Sequence, residues 1–157
     1  MSYDFNADEI FEMAEQIERN GAAFYSKAAA DVTDPDERRF LSDLATMELD
    51  HEKTFSAMRR QLSQTEKAQT AFDPQNEALS YLKALADTRI FFKKEIDTTS
   101  MQAILKAAIL AEKDSIVFYL GMKDLVPESL GHSRLDDIIK EEMSHIKLLS
   151  RRLIGTR

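Results

Sequence analysis

A glutamate and a histidine near the end of the chain have the types and spacing of a metal-binding pair. They lie within a run of residues that recur every three or four positions: Leu135, Ile138, Glu142, His145 and Leu149. This spacing is typical of the buried stripe of an amphipathic helix. An unpaired carboxylate is expensive to bury, so something must compensate Glu142. Because residues at i and i+3 share one helix face, Glu142 and His145 can bind one cation together.

The same residue types occur earlier in the chain at a constant offset. Glu18, Tyr25, Glu48 and His51 recur 94 positions later as Glu112, Tyr119, Glu142 and His145. Since the chain has only three histidines and four tyrosines, coincidence explains this pattern poorly. The repeat predicts two similar helical hairpins joined by a long connector.

The hairpins are expected to bring these side chains to common heights. The midpoint of Glu18 and Glu48 is residue 33, and that of Glu112 and Glu142 is residue 127; both fall in turn-like sequences. Each hairpin therefore places one carboxylate opposite a Glu-x-x-His pair. Four inward carboxylates would repel and take up protons, whereas two divalent cations would balance their charge. This ligand set is that of di-iron and di-manganese four-helix bundles.

The elements that must position these residues are predicted to be helices. The 157 residues suit one domain, 1–157, and only four glycines and three prolines interrupt them, which favours an all-α fold. A capping box at Asn6 starts the first helix, and Pro35 suits the first position of the second. The predicted helices span about 6–30, 35–62, 74–87, 100–123 and 132–153. The hairpins then cover about 6–62 and 100–153, with a crossover at about 63–99 that contains the short helix.

Composition disfavours several classes of function. A net charge of −7 disfavours nucleic acid and anionic membranes as partners. No apolar run approaches the ~20 residues that span a bilayer, and the first residues do not read as a signal peptide. The chain has no cysteine, which excludes disulfides, zinc fingers and rubredoxin-like centres within it. We expect a cytoplasmic protein.

The motifs resemble those of the rubrerythrin-like branch of the ferritin-like superfamily. "ERNGAAFY" and "EKDSIVFY" are similar to its Glu-x6-Tyr motif, and "ELDH" and "EEMSH" contain its Glu-x-x-His pairs. The resemblance runs from about Ile10 to Leu153. It implies a ferritin-like four-helix bundle of two hairpins joined by the long crossover. It also implies two bound metal ions, with iron as the first expectation and manganese or zinc as alternatives.

The resemblance also implies roles for eight residues. Glu18 and Glu112 would be terminal or bridging carboxylates, and Glu48 and Glu142 the bridges. His51 and His145 would be terminal nitrogen ligands. Tyr25 and Tyr119 would hold carboxylates in place, although plain core packing with a hydroxyl hydrogen bond is an open alternative for both. For the six ligands, the alternative is a bundle with buried, partly protonated polar residues. Glu15, Glu52 and Glu141, which neighbour the ligands in sequence, are expected at the surface.

The function implied is that of a di-iron oxidoreductase that reduces peroxide or oxygen in oxidative-stress defence. Two departures from the family bear on it. Ser115 stands where the family has an extra glutamate, and the cysteine-rich electron-transfer domain is missing, so an external electron donor is expected. A non-enzymatic iron or manganese carrier or store is the alternative, and a bundle stabilised by inert metal is a third. Swapping of hairpins between two chains, giving a homodimer, stays open.

Overall fold

The structure is a computed structural model that describes residues 7–62, 80, 82, 84, 97–126, 128 and 131–156. This part of the chain contains four long helices and no strand. They are α1 (Ala7–Asp31), α2 (Pro35–Arg60), α3 (Met101–Leu125) and α4 (His132–Gly155). The all-α prediction is therefore confirmed. Each long helix begins and ends within about two residues of its predicted bounds. None of these described helices is apolar over enough of its length to span a membrane.

Side chains fix where α2 and α3 begin. Asp34 accepts hydrogen bonds from the backbone N–H groups of Asp36 (2.8 Å) and Glu37 (3.1 Å), and Pro35 follows at the first helical position of α2. Ser100 accepts from the N–H of Ala103 at the start of α3. Both caps lie at the predicted starts of their helices, at about residues 35 and 100. The Asn6 cap lies outside the described residues.

The helices pair as two hairpins, with α1 along α2 and α3 along α4. Aromatic side chains join the two hairpins in the core. The ring centroid of Phe55 on α2 lies 5.1 Å from that of Tyr119 on α3 and 6.5 Å from that of Phe11 on α1. All three side chains are fully buried. This packing holds the inner faces of the four helices against one another.

The crossover is described at only a few positions. Ser80, Leu82 and Ala84 are helical, as predicted for the short helix over 74–87; the rest of that prediction lies outside the described residues. Leu82 is fully buried against α3, where a Cβ atom added at Gly121 would lie 2.9 Å from its Cδ2 atom. A residue without a side chain at Gly121 therefore lets the crossover approach α3 closely.

Candidate metal centre

The structure brings the six predicted ligands together in the middle of the bundle. Glu18 comes from α1 and Glu112 from α3, while α2 and α4 each supply a Glu-x-x-His pair. None of the six is more than 3% exposed. They form two groups, Glu18, Glu48, His51 and Glu142 in one, and Glu48, Glu112, Glu142 and His145 in the other. Within each group the candidate ligand atoms lie within 4.8 Å of one another, and Glu48 and Glu142 belong to both groups.

Both histidines direct the same ring atom at the carboxylates. Nδ1 of His51 lies 2.9 Å from Glu142 Oε1 and 3.5 Å from Glu18 Oε2. Nδ1 of His145 lies 3.2 Å from Glu142 Oε2 and 3.4 Å from oxygens of both Glu48 and Glu112. The two rings stack 5.7 Å apart at an angle of 19°. The pseudo-symmetry predicted by the 94-residue repeat is therefore present in the atomic arrangement.

Several ligand-type atoms of this cluster are buried without a hydrogen-bond partner. They are Glu18 Oε2, Glu48 Oε1, Glu112 Oε2, Glu142 Oε2 and His145 Nδ1. Buried polar atoms in native proteins are normally paired, because leaving one unpaired costs about 1–3 kcal/mol. Cations bound between the helices would satisfy these atoms together. Carboxylate oxygens and imidazole nitrogens also form a donor set that suits iron, manganese and zinc. The residues present therefore fit a two-metal site.

The protein alone balances the charge of the cluster by keeping protons. Burial, reinforced by the neighbouring carboxylates, raises the pKa of Glu48 well above its ordinary value, and the same causes raise the pKa of Glu142. Both shared carboxylates therefore tend to hold protons when no cation is bound. Metal binding must release these protons, since a coordinated carboxylate is deprotonated.

Two further members of the cluster have shifted pKa values. Burial lowers the pKa of His51, but its hydrogen bond with Glu142 and the nearby carboxylate of Glu18 outweigh burial and raise the pKa to about 11. Burial raises the pKa of Glu112, but its close contacts with Glu142 and His145 and the hydrogen bond from Tyr25 outweigh burial and lower the pKa to about 2. The metal-free cluster thus combines an imidazolium with carboxylates that share the remaining protons.

Each tyrosine holds a carboxylate of the opposite hairpin. The hydroxyl of Tyr25 on α1 donates to Glu112 Oε1 over 2.6 Å, and that of Tyr119 on α3 donates to Glu18 Oε1. Both tyrosines are fully buried. Burial, followed by the negative charge of nearby carboxylates, raises the pKa of both phenols well above the ordinary value. Both hydroxyls therefore stay protonated and donate.

Ser115 is a buried residue whose hydroxyl bonds to its own helix. Its Oγ atom donates to the backbone carbonyl of Ala111, 3.0 Å away and one turn earlier on α3. The position at which the resembled family has an additional glutamate is therefore filled by a small side chain that bonds to its own helix. In the described part of the chain, the two ligand groups contain six residues and no seventh carboxylate.

The three glutamates expected at the surface differ in burial. Glu15 is buried at 6% exposure and contacts the guanidinium groups of Arg59 and Arg19, each at 3.3 Å, so the surface prediction for it is wrong. Arg59 also bonds to Asp8 through two nitrogens, at 2.8 and 2.9 Å. Asp8 and Arg59 are nearly equidistant from residue 33 along the chain. The register of the hairpin therefore predicts that they lie at the same height, where they can form this ion pair.

Another of these glutamates, Glu141, contacts a candidate ligand from the outside of the cluster. Glu141 is 62% exposed along its side chain, as predicted, yet its Oε2 atom lies 2.5 Å from Nε2 of His51. Helical periodicity directs Glu141 away from Glu142, but it does not show that a long side chain can reach a ring on another helix. Glu52 is half-buried and forms an ion pair with Arg19 at 3.0 Å.

Comparison with known proteins bears on the fold. No family model and no curated protein matches the chain. A solved structure does match it, that of a candidate ferritin-like diiron-carboxylate protein from Thermotoga maritima. The match has a TM-score of 0.72 and covers 100% of both chains at 20% sequence identity. At this identity the similarity shows the architecture. The chain therefore has the all-α, ferritin-like four-helix-bundle fold that the repeated hairpins predicted.

Proposed function

We propose that this protein is a non-haem di-iron carboxylate oxidoreductase that reduces peroxide or oxygen. The observation that carries the proposal is the sharing of Glu48 and Glu142 by two ligand groups, each completed by one further glutamate and one histidine. Shared carboxylates can bridge two ions of one dinuclear centre, whereas two independent sites would share none. The Thermotoga maritima protein of the same fold is described as a diiron-carboxylate protein, which supports the proposal.

Each residue has a defined part in this proposal. Glu18 and His51 would complete one metal position, and Glu112 and His145 the other, while Glu48 and Glu142 would bridge the two. Four carboxylates balance the charge of two divalent cations, so the buried cluster would be neutral. Manganese and zinc suit the same ligands. Iron is proposed because the reaction requires a change of oxidation state.

The metal ions, the protein and an external donor would each contribute to this reaction. When bound, two ferrous ions would supply the two electrons that reduction of an O–O bond requires. The buried surroundings limit access of water to the carboxylates. Tyr25 and Tyr119 hold the oxygens of Glu112 and Glu18 by hydrogen bonds from the opposite hairpin, which restricts the movement of both carboxylates. The chain has no cysteine for an iron–sulfur or rubredoxin-like centre, so the electrons for a further cycle would come from an external donor.

The rubrerythrin-like character of the protein is part of the proposal and rests on the motif resemblance. Peroxide reduction in oxidative-stress defence is the role that this resemblance suggests. Ser115 separates the chain from that pattern, because it leaves α3 with Glu112 as its one contribution to the two ligand groups. We therefore propose both peroxide and oxygen as oxidants.

Turnover of iron-loaded protein tests the proposal. Metal-free protein would be loaded anaerobically with two equivalents of ferrous iron and mixed with peroxide or oxygen, with and without a reductant. We expect repeated turnover with the reductant, and loss of turnover in Glu142→Ala. If excess ferrous iron is then added with oxygen, uptake of many ferric ions per chain, without reductant-dependent turnover, would instead indicate an iron store. Tight binding of metal that neither oxidant changes would indicate a purely stabilising role.

A further inference from the structure

The pseudo-symmetric cluster contains an asymmetry at the outer edges of the two histidine rings. Nδ1 of His51 faces the carboxylates, while Nε2 of the same ring lies 2.5 Å from Glu141 Oε2. His145 also turns Nδ1 inward, but the described part of the chain offers its Nε2 atom no carboxylate. The two candidate metal positions therefore differ in what supports their nitrogen ligands.

The repeat explains the origin of this difference. The residue 94 positions before Glu141 is Met47, which is 39% exposed on α2. A thioether is a weak hydrogen-bond acceptor and carries no charge, so Met47 cannot replace a carboxylate. The offset that relates the six ligands thus pairs Glu141 with a residue that lacks its chemistry.

A carboxylate at Nε2 has a defined effect on a metal-binding histidine. By accepting a hydrogen bond from Nε2–H, it fixes the tautomer in which Nδ1 has a free lone pair, orients the ring and increases its basicity. Loss of such a partner typically weakens metal binding about 10- to 100-fold. The side chain of Glu141 is largely exposed, so solvent screening weakens its effect on His51. An effect near the lower end of that range, about tenfold, is expected.

We infer that Glu141 is a positioning residue for His51, and that it makes the metal position completed by Glu18 and His51 bind its ion more tightly than the position completed by Glu112 and His145. The inference rests on the proposed two-metal function. It adds an order of filling: the first ion enters the position nearest Glu141. It also adds a chemical difference between two positions that otherwise have the same ligands.

Calorimetric titration of the metal-free protein with Co²⁺ tests the inference without any catalytic assay. We expect two ions per chain, with dissociation constants that differ by about tenfold or more. Glu141→Gln should weaken the tighter step by about tenfold and leave the other nearly unchanged. Asp137→Asn is the matched control, since it removes one exposed negative charge one turn before Glu141 and should change neither step. Met47→Glu supplies His145 with a counterpart of Glu141 and should tighten the weaker step.

Proton NMR of the Co²⁺-loaded protein assigns the effect to one ring. Each bound histidine should give one exchangeable N–H resonance shifted far by the paramagnetic ion, and the His51 resonance should exchange more slowly because its proton is hydrogen-bonded. In Glu141→Gln this resonance alone should move and exchange faster, whereas a change of the whole fold would affect both. If Glu141→Gln and the unaltered protein bind two ions with the same two constants, the inference is overturned and the proposed function stands. If the unaltered protein binds no Co²⁺, both are overturned.

Discussion

The hydroxyl of Tyr25 on α1 donates a hydrogen bond of 2.6 Å to Glu112 on α3, so a residue of one hairpin restrains a candidate ligand of the other. Tyr119 and Glu18 form the reciprocal bond. These bonds link the two hairpins within the buried cluster, at the level where the candidate ligands meet. The same two hydrogen bonds therefore hold the hairpins together and hold two candidate ligands in position.

Tyr25→Phe should weaken metal binding by about 10- to 100-fold, because it removes the donor that holds Glu112 while keeping the aromatic ring. Tyr119→Phe should have an effect of similar size through Glu18. Metal titration of the three proteins measures this. Unaltered affinity in both variants would show that the tyrosines serve only in core packing, the alternative reading of these residues.

The metal-free protein should lose stability as pH rises from about 5 to about 9. Glu48 and Glu142 have raised pKa values in the folded protein, so their stabilising effect is complete below the ordinary value of 4.5 and is lost as pH rises through the folded values. His51 contributes in the same sense between 6.5 and about 11. Glu112, with a pKa lowered to about 2, loses its contribution only as pH falls below 4.5 and so acts outside this range.

Urea unfolding in the presence of a chelator, repeated across this pH range, measures the effect. Glu142→Gln is the control, since it removes one of the titrating groups and should flatten the profile. A stability that increases steadily from pH 5 to 9 would contradict the assignment of protons to the shared carboxylates.

Arg59→Ala should lower the free energy of unfolding by about 1–3 kcal/mol, because it leaves the buried Glu15 without one of its guanidinium partners. Arg60→Ala is the matched control, as Arg60 is the neighbouring residue and is exposed. Chemical denaturation of both variants with the metal removed gives the comparison. Equal stability of the two would mean that the α1–α2 ion-pair network contributes little.

Ser115→Glu should shift the ratio of oxidation rates in favour of peroxide, since it places a seventh carboxylate one turn after Glu112. Ser115→Ala should leave both rates and the metal affinity unchanged, because the hydroxyl bonds to the carbonyl of Ala111 and not to a candidate ligand. Stopped-flow oxidation at matched iron loading measures the ratios. The same ratio in all three proteins would indicate that position 115 is a core position without influence on the oxidant.

The sequence predicts much of this site because symmetry limits the alternatives. The 94-residue offset identifies Glu18, Glu48, His51, Glu112, Glu142 and His145 as a set, and the hairpin midpoints put them at common heights. The sequence likewise predicts the start of α2 at Pro35 and the start of α3 at about residue 100, close to where the structure has them. These features depend on local spacing, which can be read along the chain.

The features that sequence analysis misses depend on how the helices are rotated against one another. Glu15 is buried where it contacts the guanidinium groups of Arg59 on α2 and Arg19 on α1. The contact between Glu141 and His51 joins α4 to α2 through a long, exposed side chain, which periodicity assigns to the surface without indicating its reach. Side chains of this length can cover a neighbouring helix while their own backbone faces solvent.

Crystallography of iron-loaded protein with anomalous scattering at the iron edge tests the central claim most directly. We predict two anomalous peaks per chain, about 3.5–4 Å apart, lying between Glu48 and Glu142, with Glu18 and His51 at one peak and Glu112 and His145 at the other. A single peak, or peaks away from these six residues at full iron loading, would contradict the account.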